Sequence, residues 1–329
     1  MKKEKIDFVI LWVDGSDPKW LDEKNKYSNN QNNEINRFRD YETLNYLFRG
    51  IEEYASWVNK VFFITWGHLP KWLNTENKKL RIVKHEEFIP EEYLPTFNSN
   101  VIELNLHRIK DLSEKFVLFN DDLFILQKLK PCYFFKNDLP ADIYVEYVRK
   151  NCSKRHITIR NNNLKILNKH FLKSTTIKKN LFKTFNIRYK TGNFKTLINL
   201  KNKNYGDFVS YHLTQSFLKT TFIEVWNKEE KLLDNSCYNK FRSNSDIGRG
   251  IFRSWQLLSG NFSPFQVKSL GKYYILQDDN QKLLNTISKR SYKIICINDS
   301  SSSIDFEKAK RELKTAFLKI FPNKSSFEK

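Results

Sequence analysis

Residues 119–125 read Phe119-Asn120-Asp121-Asp122-Leu123-Phe124-Ile125, and they follow the apolar run Phe116-Val117-Leu118. A short apolar run with polar flanks is typical of a strand in a sheet that is covered on both faces, and such sheets bind ligands beyond their strand ends. The pattern therefore places two neighbouring carboxylates at an expected ligand position. Taken alone, the same three polar residues are explained equally well by an Asx-type turn that binds nothing.

The N-terminal stretch has the same design. Residues 6–13 predict a first strand, and Asp14-Gly15-Ser16-Asp17-Pro18 predicts its exit loop. Gly15 allows a ligand to approach the backbone closely, and Pro18 ends the strand. Two carboxylate-bearing loops at strand ends suit a hard divalent cation, which takes oxygen ligands and shares them with substrate phosphates.

A third run of this kind, Lys293-Ile294-Ile295-Cys296-Ile297, predicts a late strand that ends in Asn298-Asp299. Further strands are predicted at residues 61–66 and 80–83, and a helix at residues 41–54 that Asp40 is able to cap. Residues 251–258 and 306–321 predict later helices, whereas the Asn-rich residues 24–36 predict a loop over the pocket. Strands that alternate with helices indicate an α/β fold.

Several polar residues near these elements are candidates for binding or catalysis. Arg37 and Arg39 are able to grip phosphate through bidentate hydrogen bonds, although solvated surface arginines are more common. Asn98 and Ser99 stand where a helix begins, so capping is their alternative role. His212 suits proton transfer because its ordinary pKa is near neutrality, although a lone histidine is more often structural.

The composition predicts a folded protein with acidic partners. The chain has 329 residues, is 40% hydrophobic and 15% aromatic, and carries a net charge of +20 with a pI of 9.6. These values allow one large or two closely joined domains, and they favour nucleic acid, anionic lipid, or a phosphorylated substrate or product as partner. Residues 149–203 are rich in Lys, Arg and Asn and predict a basic, mostly helical insertion or acceptor-binding subdomain. It would interrupt a discontinuous catalytic domain of residues 1–148 and 204–329.

Nucleic acid is not the expected partner, because the basic stretch carries no recognisable nucleic-acid-binding motif. Cys132, Cys152, Cys237 and Cys296 form no CxxC pair, so reduced thiols are the default. The first apolar stretch is too short for a signal peptide, and no run reaches about 18 apolar residues. We therefore expect a cytoplasmic protein, held by its charge at the inner face of the plasma membrane.

The order of these motifs resembles the Stealth family of sugar-phosphate transferases. The first family region corresponds to residues 6–18, and the second runs from Arg37-Phe38-Arg39-Asp40 through residues 94–99 to Asn120-Asp121-Asp122. The third corresponds to Tyr211-His212 and the stretch to Lys240-Phe241-Arg242-Ser243, and the fourth to residues 297–328. Thr214 departs from the pattern, because a proline is expected soon after the histidine.

The resemblance implies a GT-A-related, Rossmann-like mixed sheet flanked by helices. It implies transfer of an intact sugar 1-phosphate from a nucleotide sugar to an acceptor hydroxyl, with release of nucleoside monophosphate. Mg²⁺ or Mn²⁺ would be held by Asp14, Asp121 and Asp122, because phosphoryl transfer requires neutralisation of phosphate charge. Arg242 would stabilise that charge, and His212 or one aspartate would accept the proton. Substrate contacts would come from Gly15, Arg37, Arg39, Asn98, Ser99, Asn120, Asn298 and Asp299.

The implied donor is a nucleotide sugar, and the family resemblance favours UDP-N-acetylhexosamine. The implied acceptor is a glycan or lipid-linked glycan of a capsular or cell-surface polysaccharide. The basic insertion would hold the polyanionic product or lie against an anionic membrane. Two alternatives stay open. One is a conventional metal-dependent glycosyltransferase that releases nucleoside diphosphate, and the other is a non-enzymatic polyanion-binding protein.

Overall fold

The computed structural model describes residues 5–28, 39–147, 154–299 and 304–329. The strands within these ranges are β1 (Ile6–Leu11), β2 (Val61–Thr65), β3 (Leu80–Lys84), β4 (Lys115–Asn120), β5 (Leu123–Ile125), β6 (Phe135–Lys136), β7 (Leu139–Asp142), β8 (Glu146–Tyr147), β9 (Asp207–Phe208), β10 (Gln215–Leu218), β11 (Ser263–Pro264), β12 (Gly271–Ile275) and β13 (Ile294–Asn298). The helices are α1 (Pro18–Tyr27), α2 (Leu44–Tyr54), α3 (Ser99–Leu104), α4 (Lys154–His170), α5 (Lys173–Lys179), α6 (Leu181–Thr184), α7 (Gly192–Asn199), α8 (Lys219–Cys237), α9 (Gly250–Ser259), α10 (Gln281–Ser288) and α11 (Phe306–Ile320).

The largest sheet has the strand order β10-β4-β1-β2-β3, with β10 antiparallel to β4 and the other pairs parallel. Its central strands are buried on both faces. Phe8 and Ile10 pack into a core that includes α2, whereas Val9 packs into a second core that includes α8 and α9. This double coverage explains the continuous apolar runs of β1, β2 and β4, and it confirms the predicted mixed α/β class.

A second, three-stranded sheet has the order β12-β13-β5, with β13 parallel to β12 and antiparallel to β5. Because β5 follows Asp121 and Asp122 directly, the pairing brings the end of β13 to the end of β4. The Cα atoms of Cys296 and Leu123 are partners, and the Ile297 N–H donates to the Asp122 carbonyl at 2.8 Å. The Asn298-Asp299 motif therefore lies next to the Asn120-Asp121-Asp122 motif. The sequence did not predict that β12, β13 and β5 form a separate sheet.

Some predicted element bounds are wrong. The helix expected at residues 41–54 begins at Leu44, because Asp40 accepts the Glu42 N–H at 2.7 Å in a local turn instead of capping. Residues 24–27 belong to α1 and not to a loop, since the Asp17 side chain caps this helix by accepting the Trp20 N–H at 2.8 Å. The rest of that predicted loop lies largely outside the described residues.

Helices α4 to α7 form most of the predicted basic insertion. Helix α4 packs on α9, and α7 packs on β8. The division of the chain into a catalytic domain and an insertion stays a prediction. Cys132, Cys237 and Cys296 are free thiols. In the described part of the chain, no helix combines the length and the apolar character that a membrane crossing requires.

Candidate active site

A cleft of about 1210 Å³ opens where β4 and β13 end. Its walls come from the loops after β1, β4 and β13, from the start of α3, and from the segments around residues 207–215 and 241–254. The sequence-predicted site residues that line it are Arg39, Ser99, Asn120, Asp121, Asp122, His212, Arg242, Asn298 and Asp299. Positions that are up to 260 residues apart in the chain thus share one cavity.

Asp121 and Asp122 stand side by side between β4 and β5. Burial raises the pKa of Asp121 to about 7, and the neighbouring Asp122 charge adds to this shift. Asp121 is exposed within the cleft that it lines, and the walls of the cleft reduce the solvation of its carboxylate. Asp122 Oδ2 accepts the Cys296 thiol at 3.2 Å, while its Oδ1 is buried and has no hydrogen-bond partner in the described structure. One carboxylate oxygen is therefore left without a donor.

Asp299 directly follows β13 and is held by the segment that precedes α2. Its Oδ2 accepts the Tyr41 hydroxyl at 2.7 Å and the Arg39 Nη1 at 3.4 Å. Its Oδ1, like that of Asp122, is buried without a hydrogen-bond partner among the described residues. Buried polar atoms normally have partners, so two such oxygens in one cleft indicate that a ligand completes the site.

Asp14 lies at the edge of the cleft and is not one of its lining residues. Its Oδ1 accepts the Ser16 N–H at 2.9 Å and the Ser16 hydroxyl at 2.6 Å. Its own N–H donates to His68 Nε2 at 2.7 Å, so the neutral His68 ring carries its proton on Nδ1. Burial raises the pKa of Asp40, a cleft residue, and the Asp14 charge adds to the shift.

Two arginines reach the cleft from the segment before α9. Arg242 Nη2 donates to Ser99 Oγ at 2.7 Å. Arg249 Nη1 contacts Glu103 and donates to Asn120 Oδ1 at 3.1 Å. Asn120 directly precedes Asp121 and Asp122, so Arg249 lies near the acidic pair. Burial raises the pKa of Asp122, and the Arg249 charge acts in the opposite direction.

Sequence reasoning selected Arg242 but missed Arg249, Tyr41, His68 and the role of Asp40 in the cleft. The available signal for Arg249 was its position between Gly248 and Gly250 at the start of a helix. Tyr41 and His68 gave no comparable signal, because their contacts join segments that are distant in sequence.

The remaining predicted site residues lie in different surroundings from one another. Asn98 is fully buried and caps α3, with its Oδ1 accepting the Asn100 N–H at 3.1 Å and its Nδ2 donating to Asp246 at 3.0 Å, as the capping alternative predicted. Gly15 lies in the turn closed by the Asp17 N–H on the Asp14 carbonyl at 3.3 Å. His212 lines the cleft with φ 51°, and its ring centroid is 4.8 Å from that of Tyr273. Arg37 lies outside the described residues.

The acidic groups fit a divalent cation in part. Across the described ranges, no three His, Cys, Asp or Glu side chains are already clustered as a complete metal site. Asp122 and Asp299 nevertheless each leave one buried oxygen without a donor in the described structure, and Asp121 lies next to Asp122, whose charge adds to the effect of burial in raising the pKa of Asp121. Oxygen donors of this kind suit Mg²⁺ or Mn²⁺, which takes its remaining ligands from water and substrate phosphates.

Three segments match conserved regions of one protein family. Residues 4–31 match Stealth protein CR1, conserved region 1, residues 37–142 match CR2, conserved region 2, and residues 285–329 match CR4, conserved region 4. The matches include the loops that carry Asp14, Asp121, Asp122 and Asp299. The third region, predicted around residues 211–243, stays a prediction.

Full-length relatives extend this similarity. The chain is 42% identical to the capsular polysaccharide phosphotransferase WcwK of Streptococcus pneumoniae, over 99% of this chain and 98% of the relative. It is 37% identical to the exopolysaccharide phosphotransferase cps2G of Lactiplantibacillus plantarum, over 98% and 96%. It is 36% identical to the receptor polysaccharide phosphotransferase WefC of Streptococcus gordonii, over 99% of both chains.

Among solved structures, the galactosyltransferase LgtC in complex with donor and acceptor sugar analogs overlaps 94% of this chain and 95% of its own. The identity is 9% and the TM-score 0.40. A TM-score of this size does not establish a shared fold, whereas the α/β class is evident from the strands and helices themselves.

Proposed function

The chain belongs to the Stealth family, and from that membership and the cleft we propose that it is a polysaccharide phosphotransferase. It transfers a sugar 1-phosphate from a nucleotide sugar to a hydroxyl of a glycan or lipid-linked glycan. The product is a phosphodiester in a capsular or cell-surface polysaccharide, and the leaving group is nucleoside monophosphate. UDP-N-acetylhexosamine is the first donor to test, and the cytoplasm is the proposed location.

The observation that supports this chemistry best is the meeting of acidic and basic groups at the ends of two sheets. Asp122 and Asp299 present oxygens without donors, while Arg242 and Arg249 add positive charge to the same cleft. Phosphoryl transfer depends on positioning and on neutralising charge at non-bridging oxygens, which is what a cation and arginines provide. A protein that only bound polyanions would be weakened by the carboxylates of Asp122 and Asp299, because they repel negative charge.

We assign the cation to Asp122, Asp299 and the adjacent Asp121, with Asp14 at the edge of the site. The ion would supply positive charge to the donor pyrophosphate. Arg249, held by Glu103 and Asn120, and Arg242, held by Ser99, are oriented to contact phosphate oxygens.

The acceptor hydroxyl attacks phosphorus, an oxygen–phosphorus bond forms, and the bond from phosphorus to the bridging oxygen of the pyrophosphate breaks. The nucleoside monophosphate leaves with that bridging oxygen. We assign the acceptor's proton to His212, because it lines the cleft and its ordinary pKa suits a general base. If Asp122 and Asp299 alone hold the cation, Asp121 is the alternative base, and the variants His212→Asn and Asp121→Asn separate the two through the pH profile of kcat.

The test is incubation of the purified protein with a panel of nucleotide sugars, a glycan acceptor and Mg²⁺ or Mn²⁺, followed by phosphorus NMR. The proposal expects nucleoside monophosphate together with a new phosphodiester resonance. Nucleoside diphosphate without a phosphodiester would contradict it and would support a conventional glycosyltransferase. The double variant Asp122→Asn with Asp299→Asn is the matched control, and it should release neither nucleotide.

A further inference from the structure

Helix α7 has its apolar face outward and its polar face inward, the reverse of an ordinary surface helix. Phe194, Leu197 and Ile198 are 67%, 54% and 65% exposed. Thr196 and Asn199 are buried on the other side of the helix. Residues three and four positions apart share one helical face, so the three exposed apolar side chains are neighbours.

Polar contacts fix the inward face in place. The Thr196 hydroxyl accepts the Glu146 N–H at 3.1 Å, and the Asn199 carbonyl accepts Lys173 Nζ at 2.7 Å. The same Nζ donates to Glu146 Oε1 at 2.7 Å, in an ion pair whose side chains are 5% and 0% exposed. Turning α7 to bury its apolar face would break the contacts around this buried pair, which is costly. The apolar face is therefore held toward the outside.

The segment that precedes α7 exposes two more apolar side chains. Phe182 and Ile187 are 85% and 88% exposed. Asn186 Nδ2 donates to the Phe182 carbonyl at 3.1 Å, and Asn193 Nδ2 donates to the Asn186 carbonyl at 2.9 Å. These bonds join the end of α6 to the start of α7. We define the apolar patch as Phe182, Ile187, Phe194, Leu197 and Ile198.

The chain segment that carries the apolar patch has charges of a single sign. Residues 171–203 contain eight lysines and one arginine and no Asp or Glu. Of these lysines, Lys178, Lys179, Lys190 and Lys195 are exposed. Apolar side chains interleaved with lysines are typical of segments that lie in the interface of an anionic bilayer, with the apolar groups below the head groups and the cations among them.

We propose that the apolar patch and its lysines dock the protein on an anionic lipid bilayer. Exposed apolar patches of this kind mark interaction surfaces. A second copy of the chain is disfavoured as the occupant, because a two-fold contact would set one cationic surface against another. Anionic head groups provide the complementary charge, and each lysine near the surface adds to the attraction. This docking is independent of the sugar-phosphate chemistry.

The test is flotation of the full-length protein with two kinds of vesicle, one of equal parts phosphatidylglycerol and phosphatidylcholine and one of phosphatidylcholine alone. The wild-type protein should float with the anionic vesicles, less with the neutral ones, and less in about 0.5 M salt, because salt screens the attraction. The triple variant Phe182→Ser, Phe194→Ser, Ile198→Ser should bind the anionic vesicles at least about tenfold more weakly.

A matched control removes exposed apolar side chains elsewhere. Ile223, Leu232 and Leu318 are 42%, 44% and 51% exposed on α8 and α11. Their joint replacement by serine should change vesicle binding less than about twofold. Circular dichroism and thermal melting check that both triple variants stay folded.

Three results would overturn the proposal. The first is wild-type protein that does not float with anionic vesicles, and the second is a patch variant that binds as well as the wild type. The third is a wild-type dimer that the patch variant converts to monomer without any change in vesicle binding, which would make a second copy of the chain the occupant.

Discussion

Replacement of Tyr41 by phenylalanine removes a single hydroxyl and tests whether Asp299 belongs to the cation site. Tyr41 donates to Asp299 Oδ2 at 2.7 Å, and burial together with this bond raises the pKa of Tyr41, so the hydroxyl stays protonated. A hydrogen bond to a charged group contributes about 1.5–3 kcal/mol. If that energy orients the carboxylate for the metal, its loss weakens metal binding about 10- to 150-fold, in line with other outer-shell partners.

The assay is a Mn²⁺ titration followed by electron paramagnetic resonance of the free ion, in parallel with activity at each Mn²⁺ concentration. We expect a raised dissociation constant and a rate that recovers largely at saturating Mn²⁺. Tyr46→Phe is the matched control, because the Tyr46 hydroxyl donates to the Lys314 carbonyl at 3.5 Å, and its loss should leave metal binding unchanged. Equal Mn²⁺ affinity in Tyr41→Phe and wild type would refute a role of Asp299 in the site.

Three further predictions concern the remaining charged groups. Arg249→Met should lower kcat about 10²- to 10³-fold with a smaller change in KM in steady-state assays, because it removes the positive charge that stabilises the negative charge developing on the phosphate oxygens. Lys173→Met should lower the free energy of unfolding in urea by about 3–5 kcal/mol, since it leaves Glu146 buried and unpaired, and adding Glu146→Gln should restore part of the loss. Burial lowers the pKa of His85 to about 3. Below about pH 6.5 the unfolded chain therefore takes up a proton at His85 that the folded chain does not, and the free energy of unfolding falls as the pH is lowered. This contribution reaches about 2 kcal/mol at pH 5, and urea unfolding of His85→Asn should show a correspondingly smaller loss.

The strands that carry the site could be predicted from sequence because their signal is local. Residues 6–11, 116–120 and 294–298 are apolar runs followed by polar turns, and the structure has β1, β4 and β13 there. Parallel strands place their carboxyl ends at the same edge of a sheet, so the proximity of the loops after β1 and β4, which carry Asp14 and the Asp121-Asp122 pair, could be predicted.

The pairing of β5 with β13 could not be predicted, because a three-residue strand has no periodicity to detect. The contacts of Tyr41 and Arg249 were missed for a related reason, since each joins segments more than a hundred residues apart. The reversed face of α7 was missed as well, because its burial is decided by polar contacts with Glu146 and Lys173 and not by hydrophobicity. Local patterns therefore predict the strand ends that line the cleft, and tertiary contacts decide which neighbours join them there.

The most direct measurement is anomalous X-ray diffraction from crystals grown with Mn²⁺ and a non-hydrolysable nucleotide sugar analogue. We predict a manganese peak in the cleft, coordinated by Asp122 and Asp299 through the oxygens that lack hydrogen-bond donors and shared with the pyrophosphate of the analogue. Manganese bound elsewhere, or an analogue that occupies the cleft without contact to either carboxylate, would contradict the proposed active site.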